Sequence, residues 1–276
     1  MTDADTVSQL KKIAEGREAE IFEYGDGRVL RLFRPGSSLE DARTQAAILQ
    51  AAADAGVRVP AVHGVETVEG RHGIILERID GDDLFEIVAR SPWRLFSISS
   101  LTARLQADMH ARTAPPALPS IRDSYRQRAV SRSGAPQELI DAALKILDRL
   151  PDGDRLLHGD FHPGNIMLGD QGPVVIDWTG AASGSPEADF ARTMLIMRLG
   201  EPPSNLPLLI RFFALFARSL IIRTLNRTYR KHIAVDENLL RAWQLPTAVA
   251  RLGDDIAEER DKLLDHIREL IARDAA

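Results

Sequence analysis

The chain has 276 residues, 44% of them hydrophobic and 27% charged, with a net charge of −5. That is enough chain for two lobes or one large domain of ordinary globular composition, and the acidic balance gives no electrostatic case for a nucleic-acid partner. The absence of cysteine excludes disulfides, a thiolate nucleophile and any Cys-ligated metal site.

In chain order, the acidic start at residues 1–5 lacks an apolar core, so no signal peptide is expected. Residues 19–24 and 29–33 read as strands joined by a Gly25-Asp26-Gly27 hairpin turn. A helix is predicted over 39–55, with Ser37 or Ser38 as its cap and Gly56 as its stop. Two more short strands are expected at 62–67 and 73–77. Beyond Ile79-Asp80-Gly81 the pattern turns helical, at 101–112 and 136–150, with a proline-rich surface loop at 113–119 between them. Residues 173–176 read as a short buried strand. Helices follow at 188–199 and 206–232, and a last helical run spans 245–272. The longest apolar stretch, 206–222, is broken by Arg211 and Arg218, which argues against a membrane span. A cytoplasmic location is the resulting expectation.

The most informative text is His158-Gly-Asp160-Phe-His162-Pro-Gly-Asn165, followed by Val174-Val-Ile-Asp177-Trp178. An Asp, an Asn five residues later and a second Asp closing an apolar strand form the order in which kinase-type phosphotransferases present a base and two metal ligands. The chemistry explains the residue types. One carboxylate must take a proton from a hydroxyl nucleophile. An amide oxygen and a second carboxylate are hard donors suited to Mg²⁺.

On these residues the chain resembles the aminoglycoside phosphotransferase/choline kinase-like family, a small-molecule branch of the protein-kinase-like fold. The resemblance runs from about residue 13 to beyond Arg192. It implies an α+β, bilobal fold: an antiparallel-sheet N-lobe with one helix over residues 1–80, and a larger, mostly helical C-lobe over 81–276. It implies an ATP-dependent phosphotransferase acting on an alcohol group, with Mg²⁺ as cofactor and a small-molecule hydroxyl acceptor as partner. Asp160 would be the base, and Asn165 and Asp177 the Mg²⁺ ligands. The loop at 15–20 would cover the phosphates, although it holds only one glycine. Arg31 falls where the family places a phosphate-binding lysine, and Gln45 where it places that lysine's glutamate partner. Both are departures, since arginine's planar fork differs from an ammonium and Gln45 can accept from Arg31 without neutralising it. Backbone groups of Glu77 and Ile79 would meet the adenine edge. His158 would support the catalytic loop, His162 would position it, and Asp189 would brace it from a helix start. His110 reads as a core histidine with its hydrogen bonds satisfied.

Two other readings stay open on the residues. Arg31 and Gln45 motivate a nucleotide-binding pseudokinase with little transferase activity. His158, Asp160 and His162 also resemble a metallohydrolase ligand cluster, although that reading gives Asn165 no role. For the acceptor, residues 204–235 carry Arg211, Arg218, Arg223, Arg227, Arg230 and Lys231 with no acid among them. Arg223, Arg227 and Arg230 share a helix face. That face is either simply solvated or, if it lines the acceptor pocket, favours an anionic or neutral acceptor such as a sugar.

Overall fold

The computed structural model describes residues 10–200 and 208–275. The acidic residues 1–5, the first two residues of the helix expected at 206–232 and the side chain of Arg211 lie outside the described residues. The elements run β1 (Lys12–Glu15), β2 (Ala19–Glu23), β3 (Arg28–Phe33), α1 (Leu39–Asp54), β4 (Val62–Val68), β5 (Arg71–Glu77) and β6 (Gly81–Asp83). Next come α2 (Leu84–Arg90), α3 (Leu95–His110), α4 (Ile121–Ser131), α5 (Gln137–Leu147), β7 (Arg155–Leu157), β8 (Ile166–Gly169) and β9 (Gly172–Val175). The chain continues through β10 (Ala182–Gly184), α6 (Pro186–Leu199), α7 (Leu208–His232), α8 (Glu237–Leu252) and α9 (Ala257–Ala275). An antiparallel sheet with one helix, followed by a mostly helical remainder, is the α+β order expected from the sequence.

Two compact units share this chain. The first runs up to Asp83 and takes in Ile166–Thr179; the second comprises Leu84–Asn165 and the chain from Gly180 onward.

In the first unit five strands pair antiparallel in the order β1-β2-β3-β5-β4. The central strand β3 alternates: Leu30 and Leu32 pack with Phe22 and Val68 on one face, which leaves Val29, Arg31 and Phe33 on the other. Helix α1 starts at a capping box. Ser38 Oγ accepts from the Asp41 N–H at 3.1 Å, and Asp41 Oδ2 accepts from the Ser38 N–H at 2.8 Å. It ends before Gly56, whose φ of +83° glycine adopts without strain. A second sheet, β6-β8-β9, completes the unit and carries the chain toward Asp177.

The second unit is built on helices around an apolar core that includes Leu157, Phe190, Leu225, Tyr229 and Trp243. Phe190 and Tyr229 stack with ring centres 3.8 Å apart. The two-stranded sheet β7-β10 delivers the chain into the segment 158–165.

Several expectations shift. Strand β1 makes the sheet five-stranded where four strands were expected. Helix α3 begins six residues earlier than 101, and α2 and α4 occupy stretches to which no element had been assigned. The final run from 245 is two helices, α8 and α9, parted at 253–256, where Asp255 takes a φ of +52°.

Candidate active site

The segment 158–165 is fixed from several directions within the second unit. Gly159 has a φ of +78°, and the place a Cβ would occupy is filled by the backbone of Gly180. Only glycine allows both that conformation and that approach. Asp189, on the first turn of α6 and fully buried, accepts from the Gly159 N–H at 2.7 Å and the His158 N–H at 3.3 Å. Its Oδ2 also meets His110 Nε2 at 3.0 Å and Gln106 Nε2 at 3.3 Å, while His110 Nδ1 lies 2.6 Å from the Tyr229 hydroxyl. Burial pushes the Asp189 carboxyl up, but the hydrogen bond and charge of His110, the charge of His158 and the Gly159 N–H outweigh it, and its pKa is lowered. His110 is thus buried and satisfied, as expected, and its partner is the carboxylate that holds the loop.

Asp160 is presented by this frame. Its N–H donates to His158 Nδ1 at 3.2 Å, and its carbonyl accepts from Asn165 Nδ2 at 2.9 Å. His158 is buried beneath the loop. His162 places Nε2 3.6 Å from Asp160 Oδ2, accepts from the Gly164 N–H at 3.1 Å and stacks on Phe85 at 5.8 Å. The other carboxylate oxygen of Asp160, Oδ1, lies 3.3 Å from Arg192 Nη2 and 3.4 Å from Arg251 Nη1. Burial works to raise the Asp160 pKa. The hydrogen bond from His162 and the charges of Arg192 and Arg251 prevail, holding it well below the usual carboxylate range. Asp160, Asn165, His158, His162 and Asp189 are therefore brought together as one constellation.

In the first unit the brought-together pair is Arg31 and Asp177. Arg31 Nη2 donates to Asp177 Oδ1 at 3.0 Å and lies 3.9 Å from Glu18 Oε2. Its guanidinium sits 5.5 Å from the Phe33 ring centre. Asp177 follows β9 with a φ of +59°, a conformation few non-glycine residues hold, and also accepts from Thr179 Oγ1 at 3.3 Å. Gln45 does not take up the expected hydrogen bond with Arg31. Its Oε1 is buried without a hydrogen-bond partner, because Arg31 turns to a full carboxylate instead of a neutral amide. Glu77 closes β5; its N–H donates to the Ala61 carbonyl at 2.8 Å, and its carboxylate is forked by Arg58. Ile79, half-buried, packs its Cγ2 against Gly169.

The residues missed by sequence reasoning are Arg192 and Arg251, which meet Asp160 Oδ1, and Asp254, which both arginines also hold. A signal for two of them existed. Arg192 follows Ala188, Phe190 and Ala191, and Arg251 closes the run Leu245-Pro-Thr-Ala-Val-Ala. An arginine in such apolar company needs a buried partner.

A model of the phosphotransferase enzyme family matches residues 9–219. The chain belongs to that family. It is accordingly an ATP-dependent phosphotransferase acting on an alcohol group. A search of the curated proteins finds no match. Solved structures show the same fold for this phosphotransferase. A thermostable mutant of the aminoglycoside phosphotransferase APH(4)-Ia, in its apo form, is 18% identical with a TM-score of 0.66, over 97% of this chain and 95% of that one. A choline/ethanolamine kinase family protein from Mesorhizobium loti is 16% identical at a TM-score of 0.61, over 97% and 90%. The aminoglycoside phosphotransferase APH(3'')-Id from Streptomyces rimosus, in complex with ADP and streptomycin, is 14% identical at 0.61, over 90% and 94%. Among the described residues no helix is long and apolar enough to cross a membrane.

Proposed function

We propose that this enzyme transfers the γ-phosphoryl group of ATP to a hydroxyl of a small molecule, with Asp160 as the base. The observation that carries the reading is the presentation of Asp160, whose backbone and Oδ1 are held by direct hydrogen bonds while Oδ2 has His162 Nε2 at 3.6 Å. The acceptor oxygen attacks the γ-phosphorus, the bond from that phosphorus to the β–γ bridging oxygen breaks, and ADP leaves. The hydroxyl proton passes to Asp160 and then to solvent, so the products are a phosphomonoester, ADP and a proton. Asp160 does most of its work by orienting the hydroxyl, since phosphoryl transfer asks more of positioning than of base strength.

Asn165 and Asp177 would hold Mg²⁺. The donor chemistry fits: Asn165 spends its NH₂ on the Asp160 carbonyl, which leaves its amide oxygen for a hard cation, and Asp177 offers a carboxylate. When bound, the ion neutralises charge on the phosphate oxygens. Arg31 would bind the α- and β-phosphates, a task its permanent charge and fork suit. The carbonyl of Glu77 and the N–H of Ile79 would meet the adenine edge.

For the acceptor, the relatives' complexes with ADP and streptomycin or hygromycin B support a small polyhydroxylated molecule. The basic face of α7 is solvated at Arg223 and Arg227, while Arg230 is engaged by Glu237 and Asn226. That exposure supports the plain reading of the face and leaves the acceptor to be screened without bias toward anions.

The Arg31–Asp177 ion pair motivates a second reading: a nucleotide-binding protein with little transferase activity, because one phosphate ligand is tied to one metal ligand. A screen of sugars, amino alcohols and aminoglycosides by coupled ADP release, with calorimetric ATP binding alongside, separates the two. The proposal expects ADP release above background with at least one acceptor class. ATP binding without stimulated release by any of them would favour the second reading, and Arg31→Lys greatly raising turnover would attribute the weakness to the arginine.

A further inference from the structure

Three arginines and three carboxylates of the second unit form a charge-balanced ladder that ends on Asp160. Arg192, from α6, donates through Nη2 to Asp254 Oδ2 at 2.5 Å and to Asp160 Oδ1 at 3.3 Å. Arg251, from the end of α8, reaches the same two oxygens through Nη1, at 3.0 Å and 3.4 Å. The rest of the Arg251 fork is taken by Glu259 of α9, with Nε and Nη2 meeting its two carboxylate oxygens at 3.0 and 3.1 Å. Arg128 of α4 holds the other oxygen of Asp254 at 3.0 Å. The side chains of Arg192 and Arg251 are 2% and 8% exposed, against 32% for Asp160. The two arginines that meet Asp160 are buried, and the most exposed member of the ladder is the carboxylate placed at the reaction.

We propose that Arg192 and Arg251 are positioning residues for phosphoryl transfer: they pin Oδ1 of Asp160 so that Oδ2 is the oxygen offered to the acceptor hydroxyl. The inference rests on Asp160 being the base. A carboxylate free to turn about its terminal torsion presents either oxygen, in a broad range of orientations. Two guanidinium donors on one oxygen remove that freedom before the acceptor arrives, so orientation costs nothing at the moment of reaction. The ladder draws its three arginines and Glu259 from four different helices, α4, α6, α8 and α9, which sets the position of the two donors by packing and not by the loop. Oδ2 is met by a single neighbour at a longer distance, His162 Nε2 at 3.6 Å, against two guanidinium donors on Oδ1.

The test uses the full chain and follows ADP release from Mg·ATP, with the best acceptor of a screen or, failing one, with water. In Arg251→Ala, kcat falls about tenfold or more while KM for ATP stays within about twofold. Guanidinium ion at tens of millimolar, against matched sodium chloride, restores part of kcat. In the Asp160→Asn background the same substitution costs nothing further, because the oxygen it orients has lost its role. Should Arg251→Ala not fold, Arg251→Lys serves: an ammonium cannot span both Glu259 and Asp160, and the same selective loss of kcat is expected. Unchanged kcat in a folded Arg251 variant, or an equal loss with and without Asp160→Asn, overturns the proposal. Asp160→Asn at the wild-type rate would instead mean that the base assignment itself has failed.

Discussion

At the scale of single residues, Asp189 is proposed to join stability to catalysis. It is a buried carboxylate whose partners include His110 and the N–H groups that shape the Asp160 loop. Removing one member of a buried charged pair costs about 3–5 kcal/mol, so Asp189→Ala is expected to lower the denaturation midpoint sharply and to abolish turnover together. Denaturant titration beside an ADP-release assay checks this, and a stable but inactive variant would contradict the structural half of the claim. The residues proposed for catalysis stand out in the sequence because Asp160, Asn165 and Asp177 sit close along the chain at a spacing that the proposed chemistry asks for. For Arg251 the apolar run before it signals only that it needs a buried partner; that the partner is Asp160, 91 residues away, nothing local announces. Gln45 was expected beside Arg31 by position, and position could not reveal that Arg31 would prefer the carboxylate of Asp177.

At the scale of elements, the same contrast has local causes. Helix α3 starts six residues before the expected 101, through a stretch holding Ser97, Ser99 and Ser100, residues of modest helix propensity. In the fold Ser99 and Thr102 donate to the carbonyls four residues back, at 2.7 and 3.0 Å, and so stay within the helix. Helix α4 buries only Ile121, Tyr125 and Ala129, a stripe one residue wide along a polar sequence, so its periodicity was faint. The loop 158–165 depends on a backbone that its glycine permits. Gly159→Ala is expected to destabilise the protein by about 1–3 kcal/mol and to reduce kcat more than Ser38→Ala does. The latter removes the cap of α1, costs about 1 kcal/mol and should leave the Asp160 loop untouched. Melting curves and kcat for the two variants compare these effects. Equal kcat losses would show that general destabilisation, not loop geometry, governs activity.

At the scale of the molecule, the sequence read as one boundary near residue 80, whereas the compact units are discontinuous and segment 166–179 belongs with the first. Hydrophobic patterning follows the chain and carries no mark of which unit a returning segment joins. Stability against acid is a property of the whole. The pKa of Asp189 in the folded state lies below its ordinary value. Its contribution is therefore present above the unfolded-state pKa, about 4, and is lost as pH falls toward the lowered value. The wild-type melting temperature should drop through that acidic range, and the gap between wild type and Asp189→Asn should narrow as it does. A gap that holds constant with pH would show that Asp189 is not held ionised by its surroundings.

The most direct test of the account compares wild type with Asp160→Ala in ADP release from Mg·ATP across a broad panel of hydroxyl acceptors, with folding confirmed for both. The account predicts acceptor-stimulated turnover in the wild type and a loss of about a hundredfold or more in the variant. Unchanged turnover in folded Asp160→Ala would contradict it.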